Sequence, residues 1–439
     1  MTNKYRLLGL GLLLTLLTTA CLPKGVRVPQ SDLLKAFERK AGLIAYLGTD
    51  GNIYTVDQSG SKPTPVTTDA HSDSDYLVYG FPVWSPDSDS LAFAGFSGQQ
   101  SQAPEKVSLF VAGKDGKNVV EAYSSENDLI YYYWSPDSGW VSFLADTPSR
   151  SLALKIVSSS GGDAETVDVG SPYYWTWSPD SHAVLIHAGG ATADSRGRLS
   201  ILRLDETVTE EGLEITPALF KAPAYSPDGS QMLVAGETAP GKSALLLTDA
   251  SGSSPQTVAE YEGNIAFVWS PNGKLIAYIA GEVGDQGFAG HLTVVDPAGK
   301  RKPVVLQAEA ASAFFWSPDS KSIAYFTPKV VELPTPEPGK PSGNRPQSFI
   351  AWSLSVMDAQ SGNTHAVVPL FIPTERFLQV LPYFDQYHQS LTIWSPDSKN
   401  LVVSAYNGGA DPGIWIVAAS GNLEPRFIAP GLVGFWSWK

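Results

Sequence analysis

Beyond Leu43 the chain reads as short stretches of alternating apolar and polar positions, rich in β-branched and aromatic residues and separated by Gly, Pro, Asp and Ser. This is the pattern of strands and turns, and almost nothing after Ala41 carries a helical period. A stereotyped order recurs. After a strand such as IAFVW (Ile265 to Trp269) and a tight turn come KLIAYIAG, a loop, HLTVVDPAGK, and a short polar and β-branched segment leading to the next unit. We label the four strands of a unit A to D, with A carrying the tryptophan.

Strand A and its turn repeat as Trp-Ser-Pro-Asp/Asn-Ser/Gly at Trp84, Trp134, Trp177, Trp269, Trp316 and Trp394, with Tyr225 replacing Trp once and an unfinished copy at Trp436. Successive copies lie 50, 43, 48, 44, 47, 78 and 42 residues apart, close to the period of about 40 to 45 of four-stranded propeller blades. Proline fixes its own φ for the second turn position, the serine before it accepts a local backbone hydrogen bond, and Gly or Ser closes the turn. Strand A is apolar on both faces, with Phe267 and Trp269 on one and Ala266 and Val268 on the other. Such a strand is buried on both sides, so each indole is expected to fill the wedge between neighbouring blades. Repetition makes the motif framework, because an active site needs no such copies.

These repeats resemble the TolB-type β-propeller repeat, also seen in propellers of prolyl oligopeptidase relatives, over the stretch from Leu43 to Lys439. The segment from Leu43 supplies strands B, C and D without an A, and the last residues supply an A without successors. The expected fold is therefore all-β: an eight-bladed β-propeller of four-stranded antiparallel blades, closed by pairing of the N- and C-terminal segments. Closure removes the open sheet edge.

The first twenty residues add a second feature. Lys4 and Arg6 precede an apolar stretch from Leu7 to Leu17, then small residues and Cys21, which is the layout of a secretory signal peptide. LTTAC resembles a bacterial lipoprotein processing site, which implies lipidation of Cys21, although Thr18 occupies the place where an aliphatic residue is usual. The expected division is 1–20 signal peptide, 21–42 lipidated tether with a short helix capped by Ser31 or Asp32, and 43–439 propeller. Cys21 is the only cysteine, so the chain forms no internal disulfide.

Composition narrows the partners. The chain is 43% hydrophobic and 17% charged, enough for a packed core, and it carries 30 basic against 44 acidic residues, a net charge of -14. Losing the leader, with its two basic residues and no acid, takes that to -16. With no basic cluster, nucleic acid is excluded as a partner. A monomer touching the membrane by its lipid anchor alone is expected.

The A–B turns, and the C–D turns apart from DETVTEEGLE, are short, and both sets fall on one face. Longer connections gather in B–C and D–A on the other, the usual arrangement of a binding surface. Two of them stand out: a proline-rich flap between Thr327 and Gln347, and an aromatic insert from Pro369 to Ser390 in which Thr374 can cap a short helix ended by Pro382. Phe377, Leu381, Tyr383, Phe384, Tyr387 and His388 of the insert form either a ligand-contacting lid or a hydrophobic plug over the channel mouth. D–A loops carry Glu126, Asp128, Glu260, Glu262, Glu309 and Asp385, so that face is expected to be electronegative. Asp69, His71, Asp73 and Asp75 alternate without the glycine turn and closing glutamate of a calcium loop, and read as a solvated acidic loop.

No Gly-x-Ser-x-Gly elbow is present, and the histidines lack metal-ligand spacing. The expectation from sequence is thus a non-catalytic envelope lipoprotein that needs no cofactor and binds a protein, peptide or glycan on its variable-loop face. The alternatives are a propeller hydrolase or lactonase with a metal or carboxylate site at the channel mouth, and a non-catalytic subunit of a separate enzyme.

Overall fold

The computed structural model describes residues 40–147, 151–189, 197–218, 220–284, 287–307, 309–332 and 348–439. The leader, Cys21, the tether helix and most of the proline-rich flap lie outside the described residues. Within them the chain forms the expected eight antiparallel blades around one axis.

Blade 1 is shared between the ends. Strands Ile44–Leu47, Ile53–Val56 and Thr64–Pro65 are completed by Val433–Trp436, with Ile44 opposite Trp436 and Leu47 opposite Val433. Blades 2 to 7 begin at inner strands Val83–Trp84, Leu129–Trp134, Tyr173–Trp177, Ala224–Tyr225, Asn264–Trp269 and Ala313–Trp316. Blade 8 departs from the rule. Its strands Asn400–Tyr406, Pro412–Ala418 and Arg426–Pro430 form a sheet of three, and its inner strand is reduced to a single bridge between Trp394 and Leu401.

All the motif tryptophans are buried, and Tyr225 is half-buried. Several indoles also link neighbouring blades: Trp84, Trp134 and Trp394 donate Nε1–H to the carbonyls of Phe435, Val83 and Phe315, at 3.2, 3.0 and 2.9 Å. In each case the acceptor precedes the motif tryptophan of the blade behind. The contact therefore follows from the repeat itself.

Two loops are more ordered than the sequence pattern implies. Part of the acidic stretch pairs as a hairpin, His71–Ser72 with Asp75–Tyr79, and the latter strand extends the edge of blade 2 against Ser90–Gln99. DETVTEEGLE, read as a long turn, contains outer strand Val208–Gly212, so its turn is only Asp205 to Thr207. Alternating Val and Thr among acidic residues concealed a fully exposed strand.

Candidate binding site at the channel mouth

The aromatic insert leaves blade 7 after its outer strand Thr364–Phe371 and returns to blade 8 at Trp394. Helix α1, Glu375–Leu378, is capped by Thr374, whose Oγ1 accepts the Phe377 N–H at 3.3 Å and donates to the carbonyl of Leu432. Pro382 does not end a helix here. It sits in a 3-10 turn, Leu381–Tyr383, that leads directly into helix α2, Phe384–Tyr387, because proline is tolerated where the first turn needs no N–H donor.

The contacts of α2 and its flanks fix its position. Phe384 lies 4.8 Å from Phe314 of blade 7, and Tyr387 lies 5.7 Å from Phe81 before blade 2 and 4.9 Å from Tyr131 of blade 3 (ring centroids). Tyr131 donates its hydroxyl to the Gln386 carbonyl at 3.0 Å, Tyr133 donates to Gln389 Oε1 at 3.0 Å, and Gln386 Nε2 donates to the carbonyl of Trp175 in blade 4 at 3.1 Å. Only a segment on the ring axis reaches the inner strands of blades 2, 3, 4 and 7 at once. The insert fills the channel.

The insert residues singled out by sequence divide accordingly. Phe377 is buried 5.6 Å from Phe326, Phe384 and Leu381 are core, Tyr387 is half-buried among aromatic rings, and Tyr383 is 52% exposed. His388 faces a different cavity, at the motif end of the channel. The structure thus brings together only Tyr383 and Tyr387 at the mouth.

Around Tyr383 lies a group of residues that sequence reasoning passed over. Tyr174, at the start of the blade 4 inner strand, stacks on Phe220 at 4.6 Å and 13°. Next to Phe220, the Lys221 ammonium lies 5.7 Å from the centre of the Phe288 ring. Lys221 is half-buried, yet among the described residues its ammonium makes no ion pair within 4.0 Å. Burial lowers its pKa, and Asp385 offsets that only in part. Asp385 is 9% exposed, and burial raises its pKa against the opposing pull of Lys221. Beneath Phe220, His187 turns Nδ1 to the Lys221 carbonyl at 2.9 Å, and burial depresses its pKa to about 4.

Among the acidic D–A loops of this face, the mouth therefore holds one half-buried lysine beside a buried aspartate. Glu309 is already engaged there, by Lys329 at 2.7 Å and the Tyr325 hydroxyl at 3.0 Å. The one signal in the sequence was a single lysine interrupting PALFKAPAY. In the acidic hairpin, His71 Nε2 lies 3.8 Å from Asp75 Oδ2 and Tyr79 donates to Asp69 at 2.8 Å. Among the described residues no three His, Cys, Asp or Glu side chains converge as a metal centre.

No protein-family profile and no curated protein matches the sequence. Solved structures do match in shape. Dihydro-heme d1 dehydrogenase NirN is 14% identical, with 95% of this chain and 78% of that one covered at a TM-score of 0.54. An oligogalacturonate lyase in complex with manganese is 15% identical, with 87% and 97% covered at 0.51. TolB from Acinetobacter baumannii is 16% identical, with 82% of each chain covered at 0.39. At such identities the likeness is one of fold. It nevertheless corrects one expectation: a lyase and a dehydrogenase are carried on this fold, so a repeat-built propeller without a serine elbow is not thereby non-catalytic.

Proposed function

We propose that this chain is an exported, Cys21-lipidated monomer of the bacterial envelope whose channel mouth binds a carboxylate-bearing glycan. The observation that supports this most is Lys221, a half-buried ammonium without an ion pair among the described residues. Desolvating a cation is costly unless a counter-charge accompanies it; Asp385 offsets that cost only in part, and an anionic ligand supplies a further counter-charge. Phe288 lies against it, Phe220 precedes it in the chain with Tyr174 stacked on its ring, and the exposed Tyr383 stands at the same mouth, rings on which the C–H face of a sugar can rest. Aromatic rings also serve as anchors at binding surfaces because they lose little conformational entropy.

A second reading rests on the neighbouring Asp385. Burial moves the aspartate up and the lysine down, so both titrate nearer neutrality than free side chains do, which is the tuning that proton-transfer groups require. In this reading the bound glycan is also cleaved or rearranged. Isothermal titration with trigalacturonate and with a neutral trisaccharide tests the binding, and release of new reducing ends in the same samples tests turnover. Native protein should prefer the acidic sugar, Lys221→Met should lose at least tenfold in affinity, and Lys221→Arg should retain most of it. Equal affinity for neutral and acidic sugars contradicts the assignment of Lys221.

A further inference from the structure

At the opposite, motif end of the channel a second cavity of about 140 Å³ is walled by Phe315, Trp316, Trp438, Pro271 and Pro318, with His388 as its polar contributor. It is also lined by Leu391 and Thr392, which precede Trp394 in blade 8, the blade without a regular inner strand, and by Ser437. Of the two hydroxyls there, Ser437 is engaged as both donor and acceptor, and Thr392 as an acceptor. Thr392 Oγ1 accepts the Trp394 N–H at 3.1 Å, and Ser437 Oγ accepts from the Leu43 N–H and donates to the Lys439 carbonyl, both at 2.9 Å.

His388 is different. Among the described residues its ring has no hydrogen-bond partner, and burial alone depresses its pKa to about 4, so the imidazole is neutral at physiological pH. The Trp316 Nε1–H is also buried without a partner, as are those of Trp269 and Trp436, whereas Trp84, Trp134 and Trp394 each reach the blade behind. A buried polar group left unpaired costs about 1 to 3 kcal/mol, and a ligand that pairs it recovers part of that cost.

Size limits the occupant to one ring, since an apolar cavity of about 150 Å³ holds benzene. We propose that this pocket binds a phenol: a single aromatic ring against Phe315, Trp316 and Trp438, with its hydroxyl hydrogen-bonded to the His388 imidazole. The phenol is either a free molecule or a tyrosine side chain of a polypeptide. The site is independent of the one at the mouth, so each is tested without the other.

Mature protein is titrated with phenol, toluene and N-acetyltyrosinamide, following the indole N–H signals of Trp316 and Trp438 by NMR. Phenol should shift both signals to saturation at one equivalent and bind at least tenfold more tightly than toluene. His388→Leu should abolish that preference, while Lys221→Met should leave it unchanged. N-Acetyltyrosinamide binding as well as phenol identifies a tyrosine-bearing polypeptide as the source, and binding of phenol alone identifies a free ligand. Unmoved indole signals up to the solubility of phenol, or equal affinities for phenol and toluene, overturn the proposal. If His388→Leu does not fold, the phenol-to-toluene comparison in native protein decides.

Discussion

The fifth residue of the repeated turn shows how the ring is locked. Ser88, Ser138, Ser181, Ser320 and Ser398 all adopt left-handed backbone, with φ between 60° and 66°, a region that costs a residue with a Cβ roughly 1 kcal/mol. Gly229 and Gly273 take the same conformation without that cost. The serines have an offsetting contact: Ser138, Ser181, Ser320 and Ser398 accept the backbone N–H of Asp87, Asp137, Asn272 and Asp319 in the turn behind, at 3.0 to 3.2 Å. Ser88 takes the N–H of Lys439 and so ties the last residue into the ring. Ser138→Gly loses the bond but relieves the strain, whereas Ser138→Ala loses the bond and keeps it. Denaturant unfolding should find the alanine variant less stable than the glycine variant by about 1 kcal/mol; equal stabilities would mean that the strain is absent. The sequence displayed the turn and its closing Ser or Gly, because those are local choices. The inter-blade bond was hidden, since its partners lie 44 to 79 residues apart in the chain.

At the scale of elements the insert decides how the two ends of the channel are built. Its existence was legible from the 78-residue step between Trp316 and Trp394 and from its aromatic content. Its position on the axis was not, because the hydrogen bonds that hold it come from Tyr131 and Trp175, more than 200 residues away. Two tyrosine and phenylalanine changes separate packing from recognition. Phe384, 1% exposed, fills the channel, so Phe384→Ala should cost about 3 to 5 kcal/mol of stability. Tyr383→Ala, at an exposed side chain, should change stability by less than about 0.5 kcal/mol while weakening glycan binding. A melting point that falls more for Tyr383→Ala would reverse these roles. Acid should loosen the same region. His187 is 1% exposed and its pKa falls from 6.5 to about 4 on folding, so unfolding takes up a proton between those values. Its contribution, roughly 3 kcal/mol, is complete above pH 6.5 and lost as pH falls to 4. His388 acts in the same direction. Melting followed from pH 7 to pH 4 should show a drop that His187→Phe reduces.

Over the whole molecule, the repeat made the fold readable, and the exceptions to the repeat made the site unreadable. Eight blades and terminal closure follow from counting motifs and noticing that the first unit lacks a strand A while the last has nothing else. Lys221, Tyr174, Phe288 and Asp385 belong to four separate stretches of chain, and only the ring brings them to one mouth. Closure itself predicts that removing Gly431 to Lys439 unfolds or aggregates the protein, because it takes away buried Trp436 and the ladder to Ile44–Leu47. An unchanged melting temperature would contradict that closure. The ligand site is tested most directly by a crystal structure of the protein soaked with trigalacturonate. A sugar carboxylate is expected against Lys221 Nζ, with the ring faces between Tyr174 and Tyr383. Sugar bound on the motif turns or on the outer strands, with the mouth empty, would contradict it.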